Sequence, residues 1–287
     1  MYAIVGVTGH VGGVVAEILL QKNLPVKAIV RNNQKEKEWE NRGAETAFAL
    51  LTDSDALGKA FEGASGIFIM TPPLLNSDSP MREHNEMLAA LKSAIEKSKP
   101  DKIVYLSSVG AHLERGTGAI RKLFDMENTF RELSIPTVGI RAAWFMENFT
   151  GMISVVRESG KLPSFLNPTE MAIPMIAACD IGKLAADLLL ANWTGHRIIE
   201  LEGPCSYSAD DAATIIGYHL DKPVNAVAID ESEYAATCEF FGCTAAAALL
   251  MAEMNTGFNT GLIAFQNAGA EHLTGETLLE DVLKDYI

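Results

Sequence analysis

The chain is predicted to be an α/β protein, a Rossmann-type doubly wound parallel sheet with a smaller, mainly helical C-terminal substrate lobe. Three observations carry this. Short apolar, β-branched runs alternate with helical patterns through residues 1–141, a glycine-rich stretch joins the first run to the first helix, and the rhythm loosens after Arg141. Alternation of this kind implies parallel strands joined by crossovers and covered on both faces.

The elements follow in order. Tyr2–Val7 is an apolar run of strand length, and Val11–Lys22 carries Val11, Val14, Val15, Ile18 and Leu19 at helical spacing. Val26–Val30 is a second β-branched run and Glu45–Leu51 a weaker third. Gly66–Thr71 is the fourth, ended by Pro72-Pro73 because proline cannot continue a ladder. A long helix over Ser79–Ser98, a strand over Lys102–Ser107, a helix over Gly118–Leu133 and a strand over Thr137–Arg141 complete the first part. Beyond it, helices are predicted at Phe145–Ser159, Asp180–Leu190, Ala209–Leu220, Glu231–Phe241 and Thr244–Met254. Short strands are predicted near Ala172–Ile176, Arg197–Glu202 and Val224–Ile229. The division is a Rossmann domain over residues 1–141 and a smaller lobe over residues 142–287, some of whose strands are free to rejoin the first sheet. No Gly/Ser-rich linker separates them, so the two are expected to pack closely.

Charge narrows the ligands. Of the 287 residues, 1–144 hold 17 Lys+Arg and 17 Asp+Glu, whereas 145–287 hold 6 and 20, so the whole net charge of −14 lies in the second part. An acidic surface repels phosphate backbones and anionic lipid, so neither nucleic acid nor membrane is an expected partner. An anionic ligand must use the first part, and neutral or cationic substrates suit the second. No run approaches the roughly 20 apolar residues of a spanning helix, and the opening Met-Tyr-Ala-Ile-Val-Gly has no basic region of a leader, so a cytoplasmic location is expected. Cys179, Cys205, Cys238 and Cys243 have no zinc-like spacing and read as reduced thiols, and no metal is expected.

The most informative segment is Gly6-Val7-Thr8-Gly9-His10-Val11-Gly12-Gly13. Gly6 permits a tight turn, Gly9 lets backbone approach a pyrophosphate, and Gly12 lets the helix press against the strand. The helix N-terminus then offers free N–H groups to that phosphate. The second strand ends Val30-Arg31-Asn32-Asn33, with Lys35 and Lys37 behind and no carboxylate before Glu36. An acid there would bond a ribose 2′-OH, whereas Arg31 can pair bidentately with a 2′-phosphate, which favours NADP(H) over NAD(H). The competing reading of Arg31 is a solvated strand-end cation.

Together with Thr71-Pro72-Pro73, Leu106-Ser107-Ser108-Val109-Gly110 and Arg141-Ala142-Ala143-Trp144-Phe145-Met146-Glu147-Asn148-Phe149, these residues resemble the NmrA-like branch of the atypical short-chain dehydrogenases/reductases. Asp180-Ile181-Gly182 and Leu201-Glu202-Gly203-Pro204 extend the likeness over nearly the whole chain. The resemblance implies that Gly6, Thr8, Gly9, His10, Val11 and Gly12 line the pyrophosphate and Arg31 the 2′-phosphate. It places Met70, Thr71 and Pro72 at the nicotinamide-side ribose, and Ser107 under the nicotinamide as a contact and candidate catalytic residue. It also implies reduction of quinones, azo dyes or triphenylmethane dyes, or else NADP(H) sensing without turnover, in which case a protein partner is expected.

The departures matter too. Tyr-x-x-x-Lys, the usual acid/base pair of short-chain dehydrogenases, occurs only as Tyr218-His219-Leu220-Asp221-Lys222, past the sixth strand, and reads as a surface helix end. The Lys or His that many NmrA-like reductases keep before the sixth strand falls on Leu123, with Lys122 adjacent. One residue turns a helical side chain by about 100°, so Lys122 is either a displaced catalytic amine or a solvated cation beside Arg121. Electron-poor acceptors suit a site lacking a strong acid, because a quinone can take its proton from solvent. Trp144 and Phe145 are read either as a stacking surface for a flat aromatic substrate or as interlobe core. Asp180 reads as a helix N-cap. The reading is an NADPH-dependent reductase of quinone-like or other conjugated aromatic acceptors, with a non-catalytic NADP(H) sensor as the alternative.

Overall fold

The computed structural model describes residues 1–287, the side chain of Asn33 excepted. The strands and helices of the first part are β1 (Tyr2–Val5), α1 (His10–Gln21), β2 (Val26–Val30), α2 (Asn33–Asn41), β3 (Glu45–Phe48), α3 (Ser54–Phe61), β4 (Gly66–Ile69), α4 (Pro80–Ser98), β5 (Ile103–Ser108), α5 (Arg121–Arg131) and β6 (Thr137–Ala142). There follow β7 (Trp144–Phe145), α6 (Ile153–Ser159), β8 (Lys161–Ser164), β9 (Ile173–Ile176), α7 (Ala178–Leu190), β10 (His196–Glu202), β11 (Ser206–Tyr207), α8 (Ala209–Leu220), β12 (Asn225–Ala228), α9 (Tyr234–Phe240), α10 (Ala245–Asn259), β13 (Glu271–Thr274) and α11 (Leu279–Leu283).

Eight strands form one sheet in the order β13-β10-β6-β5-β4-β1-β2-β3, and each pairing in it is parallel. All residues of β4 and of β6 are buried, as expected of central strands covered on both faces. On one face α1 and α7 bury Val11, Val15, Leu19, Ile181 and Leu189; on the other α3, α4 and α5 bury Leu57, Phe61, Leu91, Ile95 and Phe130. The strands β10 and β13 join the sheet beside β6, so it draws on both parts of the chain. A third core, with Met146, Phe149, Leu162, Met175, Ile216 and Phe258, is built mainly from the elements that follow β6.

Four local differences from the sequence reading have physical causes. The helix α2 lacks a wide apolar stripe, burying Trp39 as its large side chain, and α3 is only 8 residues long, with Leu57, Ala60 and Phe61 on its buried face. Each is instead announced by its cap: Asn32 accepts from Lys35 N, and Asp53 from Asp55 N and Ala56 N. The helix expected from Gly118 begins as a single 3₁₀ turn, Gly118–Ile120, because Gly118 holds a left-handed φ of +51°. The helix expected over Phe145–Ser159 opens with β7 and a 3₁₀ stretch, Met146–Met152, before α6. Asp180 is not an N-cap. The cap of α7 is Ala177, and Asp180 accepts from Glu276 N (3.0 Å), Thr277 N (2.8 Å) and Thr277 Oγ1 (2.9 Å), tying down the C-terminal segment. Among the described residues no helix is long and apolar enough to cross a membrane.

Candidate functional site

At the carboxyl edge of the sheet the chain leaves β1 through Gly6, whose φ is +83°, and Gly9 N donates to Gly6 O at 3.0 Å. Gly9 caps α1 without a side-chain hydrogen bond, and the first turn carries no acid, so the helix amides stay available to an anion. A Cβ on Gly12 would lie 2.3 Å from Gly6 O, so the helix sits directly on the turn. A Cβ on Gly9 would lie 2.8 Å from Met70 Cε. The glycines form a cradle that other residues would fill.

Two cavities meet there. The first, about 350 Å³, is lined by Gly6, Thr8, Gly9, Arg31, Lys35, Leu51, Met70, Pro72 and Pro73 among others. Arg31 and Lys35 share its lining with the glycine cradle, a combination of cations and free amides that fits a phosphorylated dinucleotide. The second, about 210 Å³, is lined by Met70, Thr71, Leu106, Ser107, Leu123, Trp144, Phe145, Asn148, Met254 and Phe258 among others. Met70 belongs to both. None of the described residues lining the second cavity carries an ionisable side chain. Trp144 packs on Phe149 with ring centroids 4.8 Å apart, which fixes the indole at the rim.

The other predicted residues are placed as follows. Val11 is buried and Gly12 pressed on Gly6, so both shape the cradle from beneath. His10 is exposed and lines a separate cavity with Glu147, Cys179 and Lys183. Lys122 is 5% exposed, which overturns the solvated-cation reading; its Nζ donates to Pro73 O at 2.6 Å, while its neighbour Leu123 faces the second cavity. Tyr218 is 77% exposed on α8, away from both cavities. Sequence reasoning missed Leu51, which the rule that ligands sit at strand carboxyl ends would have found. It also missed Met254 and Phe258, one turn apart on α10, where no local signal exists. That helix lies directly on the Gly118 turn: a Cβ on Gly118 would be 2.0 Å from Leu250 O.

Beneath Ser107 runs a buried polar chain. Ser107 Oγ donates to Glu127 Oε1 (2.6 Å), and Arg141 donates to both Glu127 oxygens (2.9 and 2.7 Å). Arg141 Nη1 donates to Gln266 Oε1 (2.9 Å) and lies 3.5 Å from Glu200 Oε1.

On α4, His84 is completely buried and neither ring nitrogen has a hydrogen-bond partner. Burial, helped by the nearby Lys122 amine, lowers its pKa to about 4, and burial lowers that of Lys122 to about 8. Native His84 therefore stays neutral in a window, from its ordinary value of 6.5 down to about 4, where the unfolded chain takes up a proton. Its contribution is fully present above that window and lost as pH falls through it, about 3 kcal/mol in all. Urea unfolding of His84→Leu and wild type at pH 7 and pH 4.5 checks this: over that span, which stops short of the lower limit, the variant is expected to lose about 2 kcal/mol less stability.

A family model described as the NmrA-like family matches residues 2–263. The NAD(P)H azoreductase of Xenophilus azovorans is 26% identical over 229 residues, covering 80% of this chain and 77% of that protein. Quinone oxidoreductase 2 of Escherichia coli K12 is 24% identical, covering 98% and 97%. Two solved structures share the fold with TM-scores of 0.82: an E. coli NADPH-dependent quinone oxidoreductase complexed with NADPH (22% identical, 99% of each chain) and the Citrobacter sp. triphenylmethane reductase complexed with NADP(H) (21% identical, 100% of each).

Proposed function

The chain belongs to the NmrA-like family, and from that premise we propose that it is an NADPH-dependent reductase of quinone-like or other conjugated aromatic acceptors. The observation that carries this is the pair of cavities joined at Met70, one lined by the glycine cradle with Arg31 and Lys35, the other lined by Trp144, Phe145 and Phe258 and free of ionisable groups among the described residues. The relatives named for azo-dye and quinone reduction support it.

The glycine cradle and α1 amides hold the pyrophosphate, and Arg31, at the mouth of the first cavity, meets the 2′-phosphate. When bound, NADPH supplies a hydride. The protein's share is orientation and exclusion of water: Trp144 and Phe145 stack the acceptor, Met254 and Phe258 close over it, and Ser107 floors the cavity. Lys122 supports the Pro73 turn rather than the acceptor. Acceptors whose reduced form takes its proton from solvent match a cavity that has no acid to give, and the −14 carried by residues 145–287 disfavours anionic ones. Residues 1–141 thus serve the dinucleotide, and through Ser107 and Leu123 they share with the chain beyond β6 the walls of the acceptor cavity.

NADPH oxidation with a panel of quinones and cationic dyes tests the proposal. Acceptor-dependent loss of reduced-cofactor absorbance is expected. The acid-free cavity also fits a non-catalytic NADP(H) sensor, and tight NADPH binding with no turnover across the panel would favour that reading. Arg31→Ala is expected to weaken NADPH binding about 30-fold, the worth of one charge-assisted phosphate pair, and to leave NADH binding unchanged. Titration of nicotinamide fluorescence measures both.

A further inference from the structure

We infer that Glu127 is a positioning residue: it accepts the Ser107 O–H, leaves that oxygen able only to accept, and so makes the cavity floor selective for an N–H donor, the carboxamide end of nicotinamide. The inference rests on the reading that the dinucleotide places its nicotinamide at this cavity.

The geometry leaves Ser107 little choice. Ser107, Glu127 and Arg141 are 2%, 3% and 3% exposed. Glu127 Oε1 accepts from both Ser107 Oγ and Arg141 Nε, and Oε2 accepts from Arg141 Nη2. A carboxylate held in this way has no proton to return, so in the 2.6 Å pair the serine is the donor. A hydroxyl has one proton and two lone pairs. With the proton committed, acceptance is all that Ser107 can offer a ligand. Turning the O–H toward the cavity would break a charge-assisted bond inside the protein. The clamp does not swing either, because Glu200 holds the far side of Arg141 and itself accepts from Gln266 N (2.8 Å) and Asn267 N (3.1 Å). The neighbouring Ser108 hydroxyl is likewise spent on Val109 O (3.0 Å).

The probe is the 3-acetylpyridine analogue of NADP, in which a methyl group replaces the carboxamide NH₂. Calorimetric Kd values for NADP and the analogue are compared in wild type, Ser107→Ala and Glu127→Gln, with melting curves as the folding check. Wild type is expected to prefer NADP by about tenfold, the worth of one buried hydrogen bond. Ser107→Ala, which leaves the Glu127–Arg141 pair in place, is expected to bind the two alike. Glu127→Gln frees the hydroxyl to point either way and is expected to narrow the preference while Ser107 is still present. Wild-type indifference, or a preference that survives in Ser107→Ala, would overturn the inference; a full preference in Glu127→Gln would overturn the role of Glu127. Wild type that binds neither dinucleotide would overturn the cofactor reading itself, and the inference with it.

Discussion

Alanine at position 12 is expected to weaken NADPH binding on the order of 100-fold or more while leaving the sheet folded. The new methyl carbon would lie 2.3 Å from Gly6 O and 2.7 Å from Gly6 C, both backbone atoms of the turn that leaves β1. No side-chain rotation relieves such a contact, so either α1 retreats or the Gly6 turn opens. Both displace the amides that face the first cavity. Thermal stability moves less, because alanine gains about 1 kcal/mol of helix propensity over glycine, partly offsetting the strain. Gly13→Ala is the control. Its Cβ would be 3.4 Å from Val7 O, an ordinary contact, so that variant is expected to bind NADPH as wild type does and to melt no lower. Fluorescence titrations and melting curves of the two variants check the contrast; equal loss of binding in both would refute it.

Arg141→Met carries the largest expected loss of stability, about 3–5 kcal/mol at neutral pH. The guanidinium lies between Glu127, 3% exposed, and Glu200, 1% exposed, and its removal strands two carboxylates out of water. The two carboxylates are then left facing each other without the cation that neutralised them and without its hydrogen bonds. Arg141→Lys is expected to recover only part, since one ammonium cannot reproduce the two parallel bonds to Glu127. Urea unfolding of the three proteins at neutral pH measures both losses. A loss near zero in Arg141→Met would show that packing rather than the buried ion pairs carries this region.

The parts of this architecture legible from the sequence are those whose signal is local. The run Val26–Val30 is a strand at its predicted limits, and Ala209–Leu220 a helix at its own. The cradle was readable because each glycine answers a backbone demand within a few residues. The phase of α5 stays open in the sequence, where Lys122 reads as a displaced catalytic amine or a solvated cation; in the structure Leu123 lines the second cavity and Lys122 is buried off it. What Lys122 touches instead was not readable, because Pro73 is 49 residues away. Arg141 appeared in the sequence as part of an apolar run, with nothing to mark Glu127 or Glu200 as its partners. The alanine-rich helix α10 is apolar around much of its circumference, so its pattern could not single out Met254 and Phe258 as the face over the cavity.

The seat of α10 on Gly118 also bears on how this scaffold can be altered. Backbone meets backbone there, with no side chain between the helix and the turn to be trimmed, so the helix cannot be drawn inward or tilted outward by substituting its contacts. On this side the second cavity is therefore widened by shortening Met254 or Phe258 rather than by moving their helix. A library aimed at bulkier ligands belongs at those two positions, and insertions in the Gly118 turn would dismantle the wall they stand on.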